Sequence, residues 1–181
     1  DDFLVDWERF LHERNTLPDL IQCAIMHEQF EAIHPFLDGN GRLGRLLITL
    51  FLIERGRLPQ PLLYLSSYIE AHRQDYYDLL QRVRTHGDWM SWLRFFITGV
   101  TEIALEAVGQ AGRLMDLREK FRARLRDKAK ALALLDELFL NPYMSVSRAE
   151  HVLKVSNPTA RQAVIQKKKK GMLEEITGRT W

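Results

Sequence analysis

Cysteine is nearly absent from this chain of 181 residues, which excludes a fold held by internal disulfides. The one cysteine, Cys23, lies in an apolar run, where a buried thiol is favoured over a reactive one. No uninterrupted apolar stretch reaches the length of a membrane span, so we expect no membrane partner. The first six residues also lack the basic-then-apolar order of a signal peptide. These absences predict a cytoplasmic protein.

The net charge of the chain is only +2, so its overall charge does not indicate a nucleic-acid partner. Basic residues are nevertheless concentrated in two places, residues 113–130 and the lysine run 167–170. Apolar residues make up 46% of the chain, enough for a packed core. The length allows one sizeable domain, or a domain with a small appendage.

Alternating polar and apolar residues, the mark of a half-buried strand, are almost missing before residue 140. Apolar spacing instead predicts helices over about residues 2–12, 18–34, 41–54 and 67–87. A further helix is predicted from Asp88 to about residue 125, with a weak point at Gly109 or Gly112. The main body is therefore expected to be an all-α bundle. Because the chain begins almost inside its first helix, we expect residues of a larger protein to precede it.

The most informative stretch is residues 34–45, which read His-Pro-Phe-Leu-Asp-Gly-Asn-Gly-Arg-Leu-Gly-Arg and run directly into an apolar helix. The first backbone N–H groups of a helix have no partner inside it, and the helix dipole adds partial positive charge there. Glycines in front of such an end let the backbone approach a phosphate closely. The order of residues thus favours a polyphosphate site, with N–H groups of Gly39, Asn40 and Gly41 and the amide of Asn40 as donors.

Charged side chains in the same stretch suit phosphoryl chemistry. His34 can act as a base because its ordinary pKa is close to the working pH. Asp38 offers a hard oxygen ligand for Mg²⁺ bridging phosphates. Arg42 and Arg45 would neutralise the outer phosphates through the planar guanidinium fork.

Each residue also has a plainer interpretation when taken alone. His34 precedes Pro35 and can simply end a helix, and Asp-Gly-Asn-Gly is most often a surface turn or part of a calcium loop. Arg42 and Arg45 can be a solvated helix face, while Phe36 is expected in the core under either interpretation. The functional interpretation is favoured because the plain ones would all have to coincide within twelve residues.

The same stretch resembles the signature of the Fic family, His-x-Phe-x-Asp/Glu-Gly-Asn-Gly-Arg-x-x-Arg, with every defined position filled. The resemblance implies transfer of AMP from Mg-ATP to a Ser, Thr or Tyr hydroxyl of a target protein, although some relatives transfer other phosphate-containing groups or remove AMP. It implies that His34 is the general base and that Arg45 holds the γ-phosphate. Leu43 and Gly44 belong to the same nucleotide-binding segment, and Phe36 would anchor the loop in the core.

Further candidates lie outside the signature. The pair Tyr76-Tyr77 resembles the aromatics that flank the nucleotide in the family, so Tyr77 and Arg84 are candidates for contact with adenosine. The alternative is that Tyr76 packs in the core while Tyr77 and Arg84 are surface residues. Glu28 and Glu31 precede His34 by two turns and one turn and could tune the base, but solvated positions are favoured for both.

The last third changes character. Short helices are predicted over residues 131–139, 147–155 and 157–170, followed by a strand over 172–177 that turns at Gly178. This is the outline of a helix-turn-helix with the first strand of a wing, and it resembles the winged-helix tail behind many bacterial Fic domains. The lysines of 167–170 fall where such tails place apolar core residues. We predict a Fic helical domain over residues 1–126 and a winged-helix-like domain over residues 127–181, which stops where a second wing strand would be needed.

The tail also supports a second function, a nucleotide-sensing transcriptional regulator whose helix-turn-helix is its working part. Arg161 and the lysine run could contact DNA phosphates, but a small protein-interaction or packing module is favoured, because fold does not fix function. Homodimer formation is left open.

Two elements of the family pattern find no match in the chain. One is an inhibitory helix with the pattern Ser/Thr-x-x-x-Glu-Gly/Asn, whose glutamate would pair with the second signature arginine. The segments starting at Ser66 and Thr98 reach a glutamate but not the residue after it. The other is the β-hairpin flap that docks the target segment. Both are expected to lie upstream of Asp1.

Overall fold

The computed structural model describes residues 2–14, 16–126 and 128–176. The described residues form α-helices and no strand, which confirms the all-α prediction: α1 Asp2–His12, α2 Asp19–Ile33, α3 Asn40–Glu54, α4 Leu65–Ala71, α5 Arg73–His86, α6 Trp89–Arg124, α7 Ala129–Leu140, α8 Val146–Leu153 and α9 Asn157–Lys169. None of the helices in these ranges is long and apolar enough to cross a membrane.

Contacts divide the chain into two compact units, residues 1–110 and 111–181. The division falls within α6, which Gly109 and Gly112 do not interrupt. The sequence-based domain division at residues 126 and 127 stays a prediction.

Helix α2 is the central element of the first unit, because it is buried on several of its faces. Two tryptophans bind its backbone from neighbouring helices. Trp7 Nε1–H donates to the carbonyl of Met26 at 2.9 Å, and Trp92 Nε1–H donates to the carbonyl of Ala24 at 3.0 Å. Cys23 is fully buried as predicted, and burial raises the pKa of its thiol.

An aromatic cluster fills the space beside α2. Tyr76 is buried, which confirms its predicted core position, and its hydroxyl lies 3.0 Å from Nε2 of His27. The His27 ring stacks against Trp92 at a centroid distance of 6.1 Å. Burial lowers the pKa of His27 to about 4. His27 is therefore a neutral core residue with a structural role.

The single helix predicted over residues 67–87 is wrong, since the structure has two helices, α4 and α5, that meet at His72. The His72 ring packs against Tyr68 at 4.3 Å between centroids, and both rings lie against Phe95. The backbone of His72 adopts φ −118° and ψ 38°, outside helical values. Packing of aromatic side chains thus decides a break that the apolar spacing does not encode.

The second unit has its own core, formed by α7, α8, α9 and the segments next to them. The fully or nearly buried members are Leu134, Met144, Ala149, Ala160 and Val164. Ser145 caps α8 by accepting a hydrogen bond from the Arg148 N–H at 3.1 Å, and Lys154 in left-handed conformation ends the helix before α9 begins. This order agrees with the helix-turn-helix outline.

The wing strand, by contrast, is not formed where the structure describes it. Residues 172–176 have no strand, and the rest of the predicted strand and Gly178 lie outside the described residues. A strand needs a partner strand to satisfy its backbone hydrogen bonds, and the described part of the chain supplies none.

One residue of the lysine run, Lys167, does lie on the core face of α9. It follows Ala160 and Val164 at helical spacing and is only 5% exposed, so its aliphatic stem packs where an apolar residue was expected. Burial, together with the charges of Lys170 and Lys128, lowers the pKa of Lys167 to about 8. The folded second unit therefore disfavours the charged form of this side chain.

We predict that Lys167→Met raises the melting temperature at pH 7 by roughly 2–4 °C for each kcal/mol gained, because it removes a buried charge and keeps the apolar stem. A folded pKa below the unfolded value means that the parent chain gains stability as the pH rises from about 8 toward 10.5. The advantage of the variant should therefore shrink between pH 7 and pH 10. Calorimetry at both values checks this, with the exposed Lys168→Met as control; equal gains for both variants would contradict it.

Candidate active site

The site begins where α2 ends. His34 caps α2 with φ 51° and ψ 56°, and its N–H donates to the carbonyl of Phe30 at 3.0 Å. The helix ends before Pro35 as predicted, but His34 is left-handed rather than extended, because it closes the last turn of α2. A non-glycine residue in this conformation is strained and must be held by its surroundings. The side chain is exposed, so its ring is accessible to a reacting group.

Asn40 holds the loop together. Its Oδ1 accepts a hydrogen bond from the Phe36 N–H at 2.9 Å, and its Nδ2 donates to the Phe36 carbonyl at 2.5 Å. The residue is 2% exposed, so its amide serves the loop rather than a phosphate, contrary to the sequence interpretation. The Phe36 ring, expected in the core, is 51% exposed. The loop is thus fastened through the backbone of Phe36 and not through its ring.

The turn around Asp38 and Gly39 presents the start of α3. Gly39 has φ 84°, a conformation that glycine adopts without strain, and its carbonyl accepts the Leu43 N–H at 3.0 Å. The Asp38 carboxylate accepts the Gly39 N–H at 2.6 Å and is otherwise 93% exposed. No side chain of the described residues caps α3, which begins at Asn40. Its first N–H groups therefore face the loop without a side-chain partner.

The two signature arginines differ in environment. Arg42 is exposed and lies 3.4 Å from Asp38, a weak surface ion pair. Arg45 is half-buried, and within the described part of the chain it has no hydrogen-bond acceptor or close ion-pair partner. A Cβ at Gly41 would lie 3.2 Å from its Nη1, so the side chain passes over that glycine. A half-buried guanidinium without an acceptor favours binding of an anion.

Helices α2 and α3 approach closely at Gly44. A Cβ there would lie 2.5 Å from Oε1 of Glu31 and 3.2 Å from both His27 and Phe30. Gly44 therefore serves helix packing, and the space that its missing side chain leaves is taken by the Glu31 carboxylate. Leu43 precedes it on α3 and is half-buried.

Both glutamates expected in solvent are buried instead. Glu28 is 0% and Glu31 is 9% exposed, and burial raises the pKa of each carboxyl. The sequence favours solvated positions for both because glutamate is rarely buried. The spacing contained a signal, since Glu31 follows the buried His27 by four residues and so shares its face of the helix.

The candidates on α5 are placed differently from one another. Arg84 Nε lies 3.8 Å from Oε1 of the buried Glu28, so this arginine balances an internal charge. Tyr77 is 52% exposed, and its ring lies edge-on to Tyr76 and under the guanidinium of Arg73. The structure thus connects Arg84 to the buried Glu28 and leaves the Tyr77 ring half exposed, with Arg73 over one face.

Comparison with known proteins agrees with this geometry. Residues 2–52 match the model of the Fic/DOC family, which covers α1, α2, the loop and most of α3. Over this segment the chain is similar to the Fic/DOC family.

Relatives with assigned names point the same way. The chain is 39% identical over 71 residues to the "Probable protein adenylyltransferase" of Aquifex aeolicus (strain VF5), which is 39% of this chain and 21% of the relative. It is 40% identical over 84 residues to the "Protein adenylyltransferase Fic" of Aedes aegypti, covering 46% of this chain and 15% of that protein. The protein of the same name from Nematostella vectensis is 36% identical over 85 residues, covering 47% and 18%. The chain thus spans about a fifth or less of the length of these relatives.

We predict that Asn40→Ala destabilises the chain by about 1–3 kcal/mol, because the N–H and carbonyl of Phe36 lose their partners. Loosening of the loop should also weaken nucleotide binding, although the Asn40 side chain is not itself a phosphate ligand. Thermal unfolding and titration with ATP check the two effects. Gln74→Ala, which truncates an exposed amide on α5, is the control. Weaker ATP binding without any loss of stability would contradict the structural role.

Proposed function

We propose that this chain contains the catalytic core of a protein adenylyltransferase, which transfers AMP from Mg-ATP to a Ser, Thr or Tyr hydroxyl of a target protein. The observation that carries the proposal is the half-buried Arg45, which has no ion-pair partner among the described residues. It lies beside the start of α3, which no side chain caps, and the exposed His34 lies at the other end of the same loop. The names of the relatives support this reaction class. These names do not favour the second function, a nucleotide-sensing transcriptional regulator.

Residues 39–45, the phosphate cradle, would bind the triphosphate. N–H groups at the start of α3 and the guanidinium of Arg45 would face the phosphate oxygens, and Arg42 would add a second positive charge from the surface. Gly39 supplies the left-handed turn before α3, and Gly41 lets the Arg45 side chain pass over the backbone, because a Cβ there would lie 3.2 Å from Nη1. The cradle would thereby hold the leaving group and expose the α-phosphorus to attack.

His34 is the proposed general base. It would take the proton of the target hydroxyl as that oxygen forms a bond to the α-phosphorus. The bond from the α-phosphorus to the bridging oxygen then breaks, and the electron pair leaves with pyrophosphate. AMP remains on the target oxygen, and positive groups of the cradle compensate the charge that develops on the leaving group.

The donors present fit a magnesium ion that depends on substrate phosphates. Asp38 supplies one exposed carboxylate, and Mg²⁺ is commonly bound by one or two carboxylates together with phosphates and water. Among the described residues, no group of three or more His, Cys, Asp or Glu side chains could hold a metal without such help. When bound, the ion would supply charge neutralisation at the phosphates.

Other parts of the proposal concern partners. The target would be a protein with an accessible hydroxyl, and the chain would act in the cytoplasm. The helix pair α8 and α9 remains a candidate surface for protein or DNA, and homodimer formation remains a proposal.

We predict that His34→Ala lowers AMP transfer by about 10²–10⁴-fold, because the base is lost, while ATP binding changes little. Labelling of the chain itself and of lysate proteins with ATP labelled at the α-phosphate measures transfer. The exposed His86→Ala on α5 serves as the matched control. Labelling by His34→Ala at the level of the parent would refute the mechanism.

We predict that Tyr77→Ala weakens ATP binding by about 1–3 kcal/mol, because the exposed ring is the proposed stacking surface for adenine. Binding of inorganic tripolyphosphate, which has no base, should stay the same. Calorimetric titration with both ligands separates stacking from a general effect on the fold. Equal losses for the two ligands would argue against contact with adenine.

A further inference from the structure

A buried carboxylate lies directly behind the phosphate cradle. Oε1 of Glu31 is fully enclosed and has no hydrogen-bond partner within the described residues. It occupies the space left by Gly44, and a Cβ at Gly41 would lie 3.9 Å from it and 3.2 Å from Nη1 of Arg45. The carboxylate and the guanidinium therefore lie near the same glycine of the first turn of α3, without forming a close ion pair.

The surroundings of Glu31 combine burial with positive charge. Burial raises the pKa of its carboxyl, while Arg45, His34 and Arg84 act in the opposite direction and favour the charged form. A Cβ at Gly44 would meet both Glu31 and the neutral His27 of α2. On α5 the pKa of Tyr76 is raised first by burial and then by the charge of Glu31. Oε1 thus lies near the guanidinium groups of Arg45 and Arg84 without a hydrogen bond to either of them among the described residues.

We propose that Glu31 is a fixed internal anion that lowers the affinity of the cradle for polyphosphates and so eases release of pyrophosphate. The inference rests on the proposed function in one respect only, that the cradle is where phosphates bind. Glu31 lies on α2 and acts from behind the cradle.

The physical argument is electrostatic. The start of α3 and Arg45 attract any anion near them, and Glu31 already occupies part of that field from the protein side. Phosphates that bind from the solvent side meet both the attraction of Arg45 and the repulsion of Glu31. The repulsion grows with the charge placed near Arg45, so it should be large for pyrophosphate and ATP and small for AMP, which has no outer phosphates.

The test uses the isosteric substitution Glu31→Gln, which removes the charge and keeps the shape. Calorimetric titration measures the dissociation constants of pyrophosphate, ATP and AMP for the parent and the variant. We expect pyrophosphate and ATP to bind on the order of tenfold more tightly to Glu31→Gln, with AMP much less affected. Glu31→Asp retains the charge and should stay closer to the parent than to Glu31→Gln. Glu8→Gln, an exposed isosteric change on α1, is the matched control.

Unchanged or weaker binding of pyrophosphate to a folded Glu31→Gln overturns the inference, and so does equal tightening for AMP. If Glu31→Gln does not fold, Glu31→Met takes its place in the same titration, because it removes the charge without leaving a buried amide. Arg45→Ala tests the cradle separately. If Arg45→Ala binds pyrophosphate as tightly as the parent does, both the proposed function and this inference are contradicted. If Arg45→Ala binds pyrophosphate more weakly but Glu31→Gln does not bind it more tightly, only the inference is contradicted.

Discussion

The close approach of α2 and α3 at Gly44 is the constraint on which the candidate site depends. Because no side chain stands at that position, Glu31, His27 and Phe30 of α2 can pack directly against α3. The approach brings the end of one helix next to the start of the other. The exposed His34 at the end of α2 and the uncapped start of α3 then lie on one short loop, which Asn40 holds through two hydrogen bonds to the backbone of Phe36.

The same packing explains the electrostatics of the site. Helix α2 is enclosed by other elements of the first unit, so its polar residues are buried together with its apolar ones. Each is accommodated differently: His27 is neutral and bonded to Tyr76, and Glu28 lies near Arg84. Glu31 is left beside Arg45, without a hydrogen bond to Oε1 from the described residues. The charges behind the cradle are therefore a consequence of burying the helix that carries the base.

The sequence predicted the features that depend on residues close together in the chain. Apolar spacing predicted the helices, and the spacing within residues 34–45 predicted which side chains share the loop. It failed where the answer depends on what packs against a residue: the burial of Glu28 and Glu31, the exposure of Phe36 and the break at His72. Lys167 belongs to this group, since a long stem allows a charged residue to fill an apolar position. One-dimensional patterns describe the faces of a helix but not their partners.

An internal anion near a phosphate site has a consequence for turnover. Groups that bind substrate, transition state and product equally well increase affinity without increasing the rate of the chemical step. Arg45 and the start of α3 would attract pyrophosphate as strongly as they attract the same part of ATP, and a tightly held product would slow release. Under the proposed role of Glu31, a fixed carboxylate behind them would reduce that common affinity while leaving the positive groups in position. Gly44 makes room for this carboxylate, so the glycine that permits the helix contact would also influence how strongly the loop holds phosphates.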